Sequence, residues 1–310
     1  MLQEATHAGR ATRHLLAVPE TDIALPYTRI DGTQKGPILL ITGGVHGGEY
    51  PGIEAAIRFA QDLDPSRLKG RVYVIHMTNP PAFYGKSQYI VPLDGKNLNR
   101  VFPGSATGSV SERMAHVVSE LAQSSDFWVD LHGGDIHEAL VPFTIYSDGG
   151  SPEIVEQSRK MAEAYGIAHI LESSSVAGGT YAYGASVGIP AILTESGQMG
   201  QLDEEAVEVH LRGLENILRV LGMVADPLGE IPPSTIYRKF VWSRALQEGL
   251  FYRSIVPGQW VHAGDIGGVL KNAYGDILAE IAVPQDGLVL FTATSLAINA
   301  DDPLFAVAAE

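Results

Sequence analysis

The sequence predicts an α/β fold: a mixed, largely parallel sheet flanked by helices, followed by a small all-β domain at the C-terminus. Two observations lead there. From about residue 37 to 222, short β-rich runs alternate with amphipathic segments of helical period. Beyond residue 234 no long helical pattern returns, and β-rich runs follow one another between turn dipeptides. The stretch ADPLGEIPPS at 225–234, rich in proline and turn formers, separates the two regimes. It divides the chain into a first domain of residues 1–224 and a second of residues 235–310.

The first clear strand is PILLIT (37–42), an apolar run ending in glycines. IEAAIRFAQDL (53–63) follows with apolar residues at helical spacing, and Pro51 suits the first turn of such a helix. RVYVIHM (71–77) is the second strand, and SERMAHVVSELAQ (111–123) the second helix, with Ser109 and Glu112 at capping-box spacing. Strands FWVDL (127–131) and VPFTIY (141–146) come next, then the helix PEIVEQSRKMAEAYG (152–166) and the strand IAHIL (167–171). The strand PAILTE (190–195) and the helix DEEAVEVHLRGLENILRVLG (203–222) complete the first domain. In the tail, LFYRSIV, GGVLK, ILAEIAV and LVLFTAT lie between Pro-Gly, Gly-Asp and Asp-Gly turns, the pattern of a small antiparallel barrel or sandwich.

Composition narrows the chemistry. The 310 residues are 45% hydrophobic and 18% charged, and no apolar run reaches bilayer-spanning length, so a soluble protein with no membrane partner is expected. MLQEATHAGRATRHLL has no apolar core of a secretion signal, which makes a cytoplasmic location the expectation. Thirty-six acidic against 21 basic residues give a formal charge of -15, a balance that repels nucleic acid. The absence of cysteine excludes disulfides and leaves any metal site to His, Asp and Glu.

Those residue types gather at strand ends. GGVHGGEYPG (43–52) places His46 and Glu49 three positions apart, directly after the first strand. Ligands bind at that edge of open α/β sheets, and the glycines at 43, 44, 47 and 48 are expected to let the backbone bend until both side chains converge. Zinc demands such convergence, with ligand atoms at roughly 2.0–2.2 Å. On spacing alone, His-x-x-Glu also describes a loop histidine bonded to a neighbour, so a third ligand is needed. DFWVDLHGGD (126–135) supplies His132, again where a buried strand meets glycines. Asp130 shares its face of the strand and is suited to accept the other imidazole N–H, or to serve a purely structural partner.

PAILTESG (190–197) brings a fourth ionisable side chain, Glu195, to the same edge. Two histidines and a glutamate with an open fourth position describe a catalytic site for one Zn²⁺ per chain, and a non-ligating Glu195 describes the group that activates its water. Taken alone, Glu195 also suits a helix N-terminus. Between the second and third of these strands, NPPAFYGKSQYIVPLDGKNLNRVFPG (79–104) is too long for an ordinary connector. Asn99 and Arg100 within it offer an amide and a planar guanidinium fork suited to a carboxylate. The arginine equally suits an ion pair tying the loop to the core.

HGGE, NP, NLNRVFPG, DLHGG and TESG, in this order and on these strand ends, resemble the succinylglutamate desuccinylase/aspartoacylase family, relatives of the zinc carboxypeptidases. The likeness covers about residues 37 to 222, and the tail is similar to the family's small C-terminal domain. It implies a zinc carboxypeptidase-like fold, zinc bound by His46, Glu49 and His132, Glu195 as general acid/base, and Asn99 and Arg100 at the substrate's carboxylate end. Members of the family remove acyl groups from the nitrogen of amino acids or related small molecules. Several relatives carry an oxyanion-stabilising arginine in the stretch that reads KSQYIVP here; Gln88 stands there instead, a neutral amide that supplies less charge stabilisation.

The expected activity is hydrolysis of the amide bond of a small N-acylated amino acid, the partner being a small-molecule substrate with a carboxylate. A metallocarboxypeptidase acting on short peptides uses the same chemistry. A non-catalytic metal-binding protein of this fold is the third reading, against which the retention of Glu195 argues. A homo-oligomer is compatible with all three. His137 and Glu138 read as a solvated loop pair, His76 as a core histidine, Tyr181 and Tyr183 as packing or substrate contacts, and Lys271 as an exposed lysine.

Overall fold

The computed structural model describes residues 9–173 and 177–310, so the first eight residues of the N-terminal segment lie outside it. In chain order the first domain runs β1 (Arg10–Ala17), β2 (Ala24–Asp31), β3 (Gln34–Gly43), α1 (Tyr50–Asp62), β4 (Lys69–Ile75), α2 (Pro80–Gly85) and α3 (Val110–Gln123). It continues with β5 (Phe127–His132), β6 (Glu138–Leu140), β7 (Phe143–Tyr146), α4 (Pro152–Tyr165), β8 (His169–Glu172), α5 (Thr180–Ser186), β9 (Ala191–Glu195) and α6 (Glu204–Val220). The remainder is all β: β10 (Thr235–Tyr237), β11 (Lys239–Arg244), β12 (Gly249–Arg253), β13 (Trp260–Val261), β14 (Ile266–Lys271), β15 (Ile277–Ala282), β16 (Gly287–Ala293), β17 (Ala297–Ile298) and β18 (Pro303–Ala309).

Nine strands form one sheet in the order β1-β2-β4-β3-β5-β9-β7-β8-β10. Its centre, β4-β3-β5-β9, is parallel, and both flanks join it through antiparallel pairs, β2 with β4 and β7 with β9. The chain leaves β3 toward β4 on one side, whereas β5 enters on the other. The crevice between diverging connections at such a switch point is where this class of sheet accepts ligands. The register sharpens the point: Gly43 of β3 lies opposite Leu131, and His132 at the end of β5 lies opposite Glu195 at the end of β9.

Side-chain alternation assigns the two faces. Leu39, Ile41, Val129, Leu131 and Ile192 meet α1, α4 and α6 through Phe59, Met161 and Leu214. Leu40, Trp128 and Leu193 point the other way, toward Met114 and Val118 of α3 and Tyr181 of α5. Asp130 and His132 follow Trp128 in the alternation, so the polar end of β5 emerges on the α3 and α5 face. Among the described residues no helix is long and apolar enough to cross a membrane.

Every strand expected in the first domain is present, with ends moved by a few residues, and Ser109 and Glu112 form the expected capping box. The β1–β2 hairpin was not legible. β1 is an almost wholly exposed edge strand bearing Arg10, Arg13 and His14, so it lacks the apolar alternation that marks a half-buried strand. The short α2 and α5 hide inside turn-rich and small-residue stretches.

The tail forms a five-stranded and a four-stranded antiparallel sheet. Two short strands cross the division expected at 225–234. β10 pairs with β8 and completes the large sheet, while β6 pairs with β16 and adds a strand of the first domain to the tail. Substituting Leu39 by Ala, in the sealed core beneath α1, is expected to lower stability by about 2–5 kcal/mol. Tyr274→Ala, at a side chain 92% exposed, is expected to change it by less than about 0.5 kcal/mol. Urea denaturation of the two variants checks the contrast.

Candidate metal centre

The loop after β3 folds back on itself and delivers Glu49 as the residue that starts α1, with Pro51 in the first turn. Glu49 makes no capping hydrogen bond with its side chain. Its carboxylate turns instead toward two imidazoles: Oε1 lies 2.7 Å from His46 Nδ1, and Oε2 lies 2.8 Å from His132 Nδ1. All three residues are buried, and their donor atoms lie within 4.8 Å of one another. Glu49 Oε2 is sealed from solvent and, despite the short contact, receives no aligned hydrogen bond.

The outer nitrogens decide how the rings face inward. His132 Nε2 is 2.8 Å from Asp130 Oδ2, and His46 Nε2 is 3.1 Å from Asn97 Oδ1. An oxygen acceptor requires a proton on each Nε2, which leaves a lone pair on each Nδ1 of the neutral rings. Two lone pairs and a carboxylate then converge on one point, an arrangement that a divalent cation satisfies; the donor set is that of a zinc site with an open position. Without a cation, protons take its place. Burial disfavours a charged His46, but Glu49 outweighs it and raises the pKa. His132 is raised well above the usual range by Glu49 and Asp130, again against burial. The same two imidazoles pull Glu49 down to about 2 in spite of its burial.

Asp130 is held in turn. Thr42 Oγ1 donates to its Oδ1 at 2.6 Å and Thr180 Oγ1 to its Oδ2 at 2.6 Å, while Trp128 Nε1 donates to Thr42 Oγ1 at 2.9 Å. Of the two readings of Asp130, the structure has both: it orients a candidate ligand and it ties β3, β5 and α5 together. Behind the site, His210 Nε2 bonds the carbonyl of His132 at 3.0 Å, and burial pushes its pKa down to about 4.

Glu195 stands beside His132 across the β5–β9 pair. Its Oε2 is sealed and has no hydrogen-bond partner, and burial followed by the charge of Glu49 holds its carboxyl well above the usual range. The structure thus brings together all four residues expected at the strand ends. Asn99 is buried and its Oδ1 accepts from the backbone N–H of Thr180 at 2.9 Å, which docks the long loop on α5. Arg100 Nη1 donates to the Asn99 carbonyl at 2.8 Å. Among the described residues no carboxylate stands at ion-pair distance from it.

Three participants escaped the sequence reading. Asn97 directly precedes the 3-10 turn Leu98–Arg100, the ordinary place for a capping asparagine, and its Oδ1 accepts from the N–H of Asn99 at 2.8 Å. In the KSQYIVP stretch it is Tyr89, next to Gln88, that reaches the histidines. Its ring stands edge-on to His46 at 5.9 Å, its N–H donates to Asp135 Oδ2 at 2.8 Å, and its hydroxyl donates to Glu138 Oε1. Gln88 interacts with that same hydroxyl. Glu138 is therefore not part of a solvated pair: it is buried in β6, and burial pushes its carboxyl up to about 7. A three-residue strand completed by a distant partner leaves no local signal.

The glycines serve a purpose other than the expected one. Of Gly43, Gly44, Gly47 and Gly48, only Gly44 has a left-handed backbone, with φ of 68°. A Cβ on Gly47 would meet Phe83 N at 2.2 Å, and one on Gly48 would meet Asp135 Oδ1 at 2.0 Å. They permit close packing of the ligand loop against α2 and the β5–β6 turn more than they permit a bend.

A model of the succinylglutamate desuccinylase/aspartoacylase catalytic domain matches residues 35–221. The chain belongs to this family. It is 28% identical over 287 residues to N-alpha-acetyl-L-2,4-diaminobutyric acid deacetylase of Halomonas elongata, covering 88% of this chain and 82% of that one. It is 25% identical over 210 residues to succinylglutamate desuccinylase of Pseudomonas aeruginosa, covering 64% of this chain and 61% of that one. The product-bound ectoine utilization protein EutE of Ruegeria pomeroyi has the same fold, with a TM-score of 0.89 at 24% identity, over 100% of this chain and 98% of that one.

Glu49 raises the proton affinity of both His46 and His132, so a metal ion bound by their Nδ1 atoms would compete with protons. Apparent zinc affinity is expected to rise with pH through neutrality, read by competition with a chromogenic chelator; a flat profile would contradict this account of the site. Gly47→Ala is expected to weaken zinc binding and to cost about 1–3 kcal/mol of stability, since backbone must move to admit the methyl group.

Proposed function

We propose that the chain is a zinc-dependent amidohydrolase that removes the acyl group from the nitrogen of a small N-acylated amino acid. The observation that carries this reading is the convergence of His46, Glu49 and His132 on one point with Glu195, uncommitted to any hydrogen bond at Oε2, beside them. The two named relatives, a deacetylase and a desuccinylase, support it from outside the structure.

His46, Glu49 and His132 would hold the zinc, which would supply Lewis-acid chemistry to the acyl carbonyl and to the attacking water. Glu195 takes the proton of the attacking water and returns it to the departing amine, the two halves of general acid/base catalysis. A carboxyl whose affinity for a proton is raised by burial suits that shuttle, because it accepts a proton more readily than an exposed carboxylate does. Asn97 and Asp130 keep the imidazoles aimed. Arg100, whose guanidinium has no carboxylate at ion-pair distance among the described residues, and the side-chain amide nitrogen of Asn99 receive the substrate's carboxylate.

Replacing Glu195 by Gln is expected to lower deacylation by about 10²–10⁴-fold while zinc content, read by elemental analysis, stays at the wild-type level. Unchanged turnover would remove Glu195 from the mechanism. A panel of N-acetyl amino acids assayed beside short peptides for release of free amine decides the substrate class, and cleavage of peptides alone would overturn the deacylase reading in favour of a carboxypeptidase.

A further inference from the structure

Among the residues that α6 buries stands His210. Its side chain is sealed from solvent, and Nε2 lies 3.0 Å from the carbonyl oxygen of His132, the last residue of β5. In the neutral ring a carbonyl acceptor puts the proton on Nε2 and leaves Nδ1 as an acceptor. Nδ1 faces the hydroxyl of Tyr165, the last residue of α4, at 2.9 Å, and Thr194 Oγ1 at 3.3 Å. Gly213 makes this approach possible. It lies one turn beyond His210 on the same face of α6, and a Cβ there would stand 2.3 Å from the Tyr165 ring. The ring takes the room that a side chain would fill, and its hydroxyl arrives beside the imidazole.

The bond to His132 falls where the sheet stops. His132 and Glu195 are the last paired residues of β5 and β9, and local opening is easiest at the end of an element. The His132 carbonyl takes the N–H of Ser196 at 3.1 Å as well as that of His210. Just beyond, the Gly134 N–H donates to the Gly197 carbonyl at 2.8 Å, and a Cβ on Gly133 would meet the Ser196 carbonyl oxygen at 2.4 Å. His210 adds a side chain to this backbone junction from the helix layer behind the sheet. His132 is thus held at two points, its ring by Asp130 at 2.8 Å and its backbone by His210 at 3.0 Å.

We propose that His210 is a positioning residue for the metal centre: by fixing the backbone at the end of β5, it sets the aim of the His132 imidazole at the ion. Tyr165 acts one step further back, by holding the His210 ring. The proposal rests on the zinc reading of the site and not on which amide is cleaved.

The test reads zinc affinity of the full-length protein, by competition with a chromogenic chelator, in two variants that divide the work of the histidine. The side-chain amide nitrogen of glutamine stands where Nε2 stands, whereas that of asparagine reaches only the place of Nδ1. His210→Asn is expected to weaken zinc binding about 10–100-fold, and His210→Gln to keep most of the affinity. Thermal unfolding of the zinc-free proteins reads stability separately. Equal losses of affinity in both variants, or losses that follow the melting temperature instead of the retained N–H, would mean a structural role and overturn the proposal. Unchanged affinity in His210→Asn overturns it as well. If His210→Asn does not fold, Tyr165→Phe, which removes one hydroxyl from behind the ring, decides: weaker zinc binding supports the proposal and wild-type affinity overturns it. Zinc uptake by the wild type without hydrolysis of N-acyl amino acids would sink the deacylase reading, and the comparison of variants would still decide the role of His210. A wild type that takes up no zinc overturns both.

Discussion

A carboxylate buried between two imidazoles governs the architecture. Glu49 has almost no access to water, yet its two oxygens face two nitrogens whose rings are already fixed from behind by Asn97 and Asp130. A buried charge persists only if opposite charge is supplied nearby. In this fold the supply is either two protons on the histidines or one divalent ion, and the surrounding hydrogen bonds are arranged for both. Trp128, Thr42, Thr180 and Asp130 form a polar seam through an otherwise apolar face, and it ends at His132. The sheet order and register exist around that seam: removing it would leave strand ends with nothing to converge on.

Much of this was readable from residue order. The ends of PILLIT, FWVDLH and PAILTE are buried strands that stop in ionisable residues and glycines, and parallel strands that stop together place those residues together. Adjacency across strands was beyond reach, because register depends on which strands are neighbours; only the fold reveals that His132 and Glu195 stand opposite each other. Glu138 was misjudged, and Tyr89 overlooked, for a related reason. Their partners, a tail strand and each other's loops, are far away in sequence, and local polarity suggests exposure that tertiary packing removes. The N-terminal hairpin escaped because an exposed edge strand with charged side chains carries no buried alternation to detect.

The metal loop also revises a common inference from glycine. Flexibility was the expected reason for four glycines around His46, whereas three of the four have ordinary backbone angles. Their missing side chains let backbone atoms of α2 and the carboxylate of Asp135 approach the loop closely. Such close packing leaves the loop little room to move around His46 and Glu49, and a site with little room to move selects an ion by geometry more strictly than a pliant one.

The exchange of β6 into the tail has a consequence for how the molecule comes together. The strand Glu138–Leu140 lies only a few residues beyond His132, and it completes the edge of a sheet built from the last quarter of the chain. A polypeptide released from synthesis before that quarter emerges holds an orphaned strand beside the candidate metal centre, and a severed tail presents an open edge ready to pair with other chains. Completion of the sheet that takes up β6, a few residues past His132, thus waits on the last quarter of the chain.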